Sequence, residues 1–149
     1  MKLWLLRHGE AHLVAPSDAL RELTDRGCVE VAAAANTVRN LSIDTVLISP
    51  YVRAQQTAEL VLRGYSGSPQ RVTVPWLTPD TPVAQTLKAL DGYSGNVLVV
   101  AHQPLLGDLA GLLLNGHRQT PLAFRTAQLL GLEGEDWIPG LMSVVNLHS

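Results

Sequence analysis

Short apolar runs alternate along the chain with longer stretches in which small or apolar residues are broken by polar ones. The runs are "KLWLL" at 2–6, "DTVLIS" at 44–49, "QRVTV" at 70–74 and "NVLVVA" at 96–101. Their length and their β-branched content predict strands, and near-continuous apolarity predicts a sheet covered on both faces. Between them, "RELTDRGCVEVAAAANTVRNL" predicts a helix beginning near Thr24. "SPYVRAQQTAELVLRG" predicts a second, with Ser49 as N-cap, Pro50 at the first helical position and Gly64 as the stop. "TPVAQTLKAL" repeats the start of cap then Pro, and "PLLGDLAGLLL" again opens on Pro. The last part, "AFRTAQLLGLEG" and "GLMSVVNLH", predicts two strands with no helix between them, hence an antiparallel pair at one side.

Strands alternating with helices imply an α/β fold, a three-layer α/β/α sandwich on a mostly parallel sheet. There is no repeat, low-complexity tract or long linker, so one domain over residues 1–149 is expected.

Composition narrows the function classes. Hydrophobic residues make up 46% and charged ones 16%, with a formal net charge of −2. No basic run marks a nucleic-acid surface. No apolar stretch approaches the roughly 18 residues that span a bilayer. The four apolar residues after Lys2 are too few for the core of a signal peptide, and the single cysteine, Cys28, permits no internal disulfide. The expectation is a soluble cytoplasmic protein, with no nucleic acid and no membrane as partner.

The candidate chemistry lies at the ends of the predicted strands. The first ends in Arg7-His8, the second leads through Ser49 to Arg53, and the fourth ends in His102. Ligand sites of open α/β sheets form outside the carboxyl ends of the strands, so these four side chains converge. Two planar guanidinium forks and two imidazoles suit a phosphate dianion, and a helix N-terminus near Arg53 adds positive potential. No GxxxxGK[ST] loop is present, and no Cys lies in the cluster. Imidazole is then the natural nucleophile.

These residues also carry a resemblance. "LLRHGEA", "LTDRG", "SPYVRAQQTAE" and "VVAHQPLLG", in that order, resemble the blocks of the histidine phosphatase (phosphoglycerate mutase-like) superfamily. The likeness runs from about residue 3 to about residue 110, and the "HQP" form is most similar to the SixA-type phosphohistidine phosphatases within it. The resemblance implies His8 as nucleophile, Arg7 and Arg53 as ligands of phosphoryl oxygens, and a protonated His102 completing the pocket. It implies the same sandwich and a phosphohistidine intermediate; no set of metal ligands accompanies the phosphate-binding groups, so no metal or cofactor is expected.

The ester-cleaving branches usually carry a Glu as general acid in the segment that here reads "WLTPDTPVAQTL", which offers only Asp80. Glu10 is the other candidate acid. An alkoxide leaving group has a conjugate acid near that of water, about 15.7, whereas imidazole leaves with about 6.5. A missing acid therefore fits a P–N substrate, phosphohistidine on a protein partner. The interval between Arg53 and His102 holds little material for a lid, which suits a side chain presented by another protein. The alternatives are a phosphatase of small phosphate monoesters and a non-catalytic phosphate-binding module.

Other residues have plainer readings. Arg21 contacts either phosphate or a partner, or is a solvated loop residue. His12, four after His8, invites a metal reading, but no third ligand is apparent and the context is a loop. His117 and His148 read as surface residues, Glu59 as a solvated helix position, Trp4 and Trp76 as packing, and Cys28 as core filling.

Overall fold

A computed structural model describes residues 1–145. Its strands are β1 (Lys2–Arg7), β2 (Thr45–Ile48), β3 (Gln70–Thr73), β4 (Asn96–Ala101), β5 (Leu129–Glu133) and β6 (Ser143–Val144). Its α-helices are α1 (Asp25–Val38), α2 (Val52–Leu62), α3 (Val83–Leu90) and α4 (Leu105–Asn115), with single 3-10 turns at 18–20 and 75–77.

The six strands form one sheet in the order β3-β2-β4-β1-β5-β6. β3, β2, β4 and β1 run parallel, and β5 and β6 complete the β1 edge antiparallel. Successive strand residues point to opposite faces, so each central strand feeds two cores. Leu3, Leu5, Val97 and Val99 pack with Leu90 of α3 and with Leu105, Leu106 and Leu109 of α4. Trp4, Leu6, Leu98 and Val100 pack with Val31 and Ala35 of α1 and with Ala54, Ala58 and Val61 of α2. This is the expected three-layer sandwich. β1 and β4 are adjacent and in register from Lys2–Asn96 to Arg7–Ala101. Their carboxyl ends therefore emerge side by side, with His8 and His102 as the next residues.

Several local expectations change. Thr24 is the N-cap of α1, its hydroxyl accepting from the Gly27 N–H. Ser49 does not cap α2. That helix starts at Val52 with Tyr51 in the cap position, and Pro50 lies before it. Ser49 is wholly buried and its hydroxyl is used elsewhere. Pro82 and Pro104 likewise precede the first helical residue rather than occupy it. Thr81 does not cap α3; it bonds Thr78 across its turn.

The segment 123–128 is a turn rather than a strand, and the last strand is only two residues long. Of its predicted span, residues 140–142 and Val145 are not strand, and residues 146–148, with His148, lie outside the described residues. Trp4 is buried, and Trp76 packs beside Tyr93. Cys28 is not core filling but exposed. The buried stripe of α1 runs through Gly27, Val31, Ala35 and Val38, and Cys28 sits one residue, about 100°, off it. Among the described residues no helix is long and apolar enough to cross a membrane.

Candidate active site

His8 follows β1 and is held by backbone on both sides. Its N–H donates to the Ala101 carbonyl at 3.1 Å, and its carbonyl accepts from the Ala127 N–H at 3.0 Å. The side chain is 6% exposed. The Nδ1–H donates to the Gly9 carbonyl at 2.7 Å, which fixes the tautomer. Nε2 then carries the lone pair, and it accepts from the Arg53 Nε–H at 3.3 Å.

The glycines of "RHGEA" and "LTDRG" explain each other. A Cβ on Gly9 would lie 2.7 Å from both the Gly27 carbonyl and the Val31 side chain. A Cβ on Gly27 would collide with the Glu10 backbone. Helix α1 thus packs directly on the loop that carries the imidazole. Gly27→Ala gains about 1 kcal/mol of helix propensity, but the obstacle is backbone with no free end to swing away. Overpacking of about 1–3 kcal/mol wins. The variant should melt at lower temperature and turn over more slowly; an unchanged rate would show that the contact does not aim His8.

Arg53, in the first turn of α2, is 4% exposed. Its Nη1 donates to the Asp18 carbonyl at 2.6 Å and its Nη2 to the Asp18 carboxylate at 3.2 Å. Thr57, one turn on, accepts from the Gly9 N–H and donates to the Arg53 carbonyl, tying α2 to the His8 loop. Arg7 ends β1, and its Nη1 donates to the Phe124 carbonyl at 2.8 Å.

His102 is 1% exposed, and its ring centroid lies 5.0 Å from that of His8. Ser49 sits 2.7 Å from its Nε2 and accepts from the Tyr51 N–H. The Ser49 hydroxyl proton is therefore free to point at Nε2, leaving the proton of a neutral His102 on Nδ1. That Nδ1 and the Arg7 Nε are buried side-chain nitrogens without a hydrogen-bond partner. Tyr51 packs edge-on to His102 and beneath the Arg53 guanidinium.

Both imidazoles are neutral in this pocket. Burial, opposed by the Gly9 bond and joined by smaller contributions from Arg53, Arg7 and Arg21, lowers His8 to about 4. Burial, then His8 and Arg53, pushes His102 lower still. The expected protonation of His102 belongs to the complex with a dianion, which favours the charged ring. Before that, its Nδ1–H can donate without a net charge. In the phosphate-free protein, the NMR titration of His8 should have its midpoint near 4. Added phosphate should raise it, because the anion favours the charged ring. A midpoint near 6.5, indifferent to phosphate, would contradict this geometry.

The other candidates divide. Arg21 is partly buried beside the site; it pairs with Asp18 at 3.0 Å and donates to the His12 carbonyl at 2.6 Å. Glu10 accepts from the Thr24 hydroxyl at 2.8 Å, at the start of α1. Asp80 is exposed in the turn before α3, and no described hydrogen bond or ion pair joins it to the cluster. Glu59 is solvated and loosely paired with Arg71, and His12 is exposed. No group of three or more His, Cys, Asp or Glu suited to a metal occurs among the described residues.

Sequence reasoning missed Asp18, Tyr51, Thr57 and the role of Ser49. Asp18 stands three residues before Arg21, but in a loop that also carries Leu13, Val14 and Leu20, so nothing local marked it out.

Comparison with known proteins places this arrangement. Residues 3–73 match the model of the histidine phosphatase superfamily (branch 1). The chain is 36% identical over 135 residues to the phosphohistidine phosphatase SixA of Escherichia coli (strain K12), covering 87% of this chain and 83% of that protein. It is 28% identical to a SixA homolog of Haemophilus influenzae, covering 89% and 87%. A solved structure of the protein histidine phosphatase SixA complexed with tungstate superposes with a TM-score of 0.85 at 32% identity, covering 97% of this chain and 94% of that one. The chain therefore belongs to the histidine phosphatase superfamily.

Proposed function

We propose that this protein is a phosphohistidine phosphatase that accepts its substrate as a phosphorylated side chain on another protein. The observation that carries the reading is the His8 imidazole. Its Nδ1 is tied to Gly9 and its Nε2 lone pair faces Arg53, among cationic side chains. A binding module has no use for a neutral, tautomer-fixed nucleophile.

The chemistry follows from these groups. The lone pair on His8 Nε2 attacks phosphorus in line as the P–N bond of the substrate breaks. The electron pair of the broken P–N bond goes to the substrate imidazole, which leaves neutral when its far nitrogen carries a proton. The transferred group keeps two negative charges and His8 becomes an imidazolium, stabilised by the Gly9 carbonyl. Arg7 Nε, the Arg53 guanidinium and His102 Nδ1–H supply donors for the equatorial oxygens. Water then adds to phosphorus, the P–Nε2 bond breaks, the pair returns to His8, and dihydrogen phosphate departs. The relatives support the reading by name, and tungstate is a tetrahedral oxyanion like phosphate.

The choice of a P–N substrate rests on the carboxylates. Glu10 is committed to Thr24, and the arginines on either side of Asp18 hold its carboxyl below the usual range. Neither is poised to protonate an alkoxide. The test is turnover of a phosphohistidine-bearing protein beside an aryl or alkyl phosphate. Much faster release from the protein is expected. Preference for the esters would favour the small-monoester reading, and turnover of neither would favour a binding module.

A further inference from the structure

We infer that Asp18 is a positioning residue for Arg53, turning one edge of its guanidinium toward His8 while weakening the pocket's hold on a free dianion. The inference rests on the phosphatase reading above and adds a residue to it.

Three observations converge. First, the Asp18 carbonyl and carboxylate take Nη1 and Nη2 of Arg53 together, at 2.6 and 3.2 Å. That occupies the end of the fork, so the edge bearing Nε is the one presented to His8 Nε2. An arginine free at its end would offer that end to an oxyanion and swing its Nε away. Second, the other carboxylate oxygen of Asp18 takes Arg21 Nη1 at 3.0 Å, and Arg21 Nε is anchored on the His12 carbonyl. Asp18, its side chain 55% exposed, is therefore braced through Arg21 by the loop that follows His8. Third, a carboxylate so close to the phosphoryl-binding groups opposes a second anion there. Its negative charge offsets part of the attraction of Arg53 and Arg21, and inorganic phosphate, the product, feels that offset.

Orientation and charge act in opposite directions on two measurable quantities, which a purely structural role would not do. The probes are inorganic phosphate, for affinity, and phosphoramidate, a small P–N donor, for the rate of phosphoryl transfer onto His8. Asp18→Asn keeps the shape, the backbone carbonyl and one side-chain acceptor, and removes the charge. It should bind phosphate several-fold more tightly by calorimetry and take phosphoryl from phosphoramidate about tenfold more slowly, the worth of one charged hydrogen bond. Asp18→Ala should show the same pair of changes. In an Arg53→Ala background it should cost no further rate, because its effect passes through Arg53. Equal or weaker phosphate binding in Asp18→Asn would overturn the inference, as would an additive loss in the double variant. A wild-type protein that binds phosphate but never takes phosphoryl onto His8 would instead overturn the phosphatase reading; the affinity shift then still reports on the charge of Asp18.

Discussion

His8→Ala should abolish phosphoenzyme formation and reduce turnover to background, a loss on the order of 10⁶-fold where an enzyme's nucleophile is removed. No neighbour can replace it. His102 lies beside it, but its Nε2 is committed to Ser49, and with the Ser49 hydroxyl donating to that nitrogen its Nδ1 carries the proton rather than a lone pair. Ser49 itself is buried behind His102. The fold should survive, because the backbone of residue 8 keeps its bonds to Ala101 and Ala127. The substitution should also alter the response to acid. His8 is lowered to about 4 in the folded chain against 6.5 when unfolded. Below 6.5 the unfolded chain binds the proton more readily, so the folded state loses stability as pH falls through this window. Removing His8 removes its share of that loss. Melting temperature followed from neutral pH toward pH 4 should therefore fall less steeply in His8→Ala than in the parent. Equal slopes would mean that His8 is not held neutral by its surroundings.

The second large effect is expected at Arg53. Its Nε and both terminal nitrogens are all in use, on His8 and Asp18, in a position 4% exposed. Arg53→Ala withdraws a fixed charge from the place where charge develops in the transition state, and should lower the rate of phosphoryl transfer by about 10²–10³. Arg53→Lys should recover little of it. An ammonium on a flexible stem cannot span His8 and the two Asp18 oxygens at once. Stability should change less than activity, since Arg53 and Arg7 repel each other and Asp18 keeps its pairing with Arg21. The check is single-turnover transfer from phosphoramidate alongside thermal melting. A rate within a few-fold of the parent would remove Arg53 from the machinery.

The residues that matter most for this mechanism were readable because they sit at the ends of strands. β1 and β4 are buried on both faces over their apolar runs, which makes those runs unmistakable, and each run ends where an ionisable residue follows it. Parallel pairing of the two then forces His8 and His102 together. What could not be read depends on contacts between distant segments. Ser49 has the composition of an N-cap, yet its hydroxyl goes to His102, 53 residues away in sequence. The segment 123–128 carries apolar residues like a strand, but it turns so that the Phe124 carbonyl can receive Arg7. Asp18 lies in a loop with no periodicity, and nothing local shows that the loop folds back onto Arg53. Cys28 failed for a simpler reason: the Ala-rich surface of α1 is apolar beyond its buried stripe, so composition did not locate the stripe.

The central claim is that His8 Nε2 carries the phosphoryl group between substrate and water. Its most direct test is to load the protein with labelled phosphoryl from a P–N donor, quench it, locate the label by fragmentation mass spectrometry, and expose the phosphoprotein to acid and to alkali. The label should lie on His8, disappear in acid and persist in alkali, as a phosphoramidate bond does. A label on Asp or Ser, or a linkage lost in alkali and stable in acid, would contradict the account.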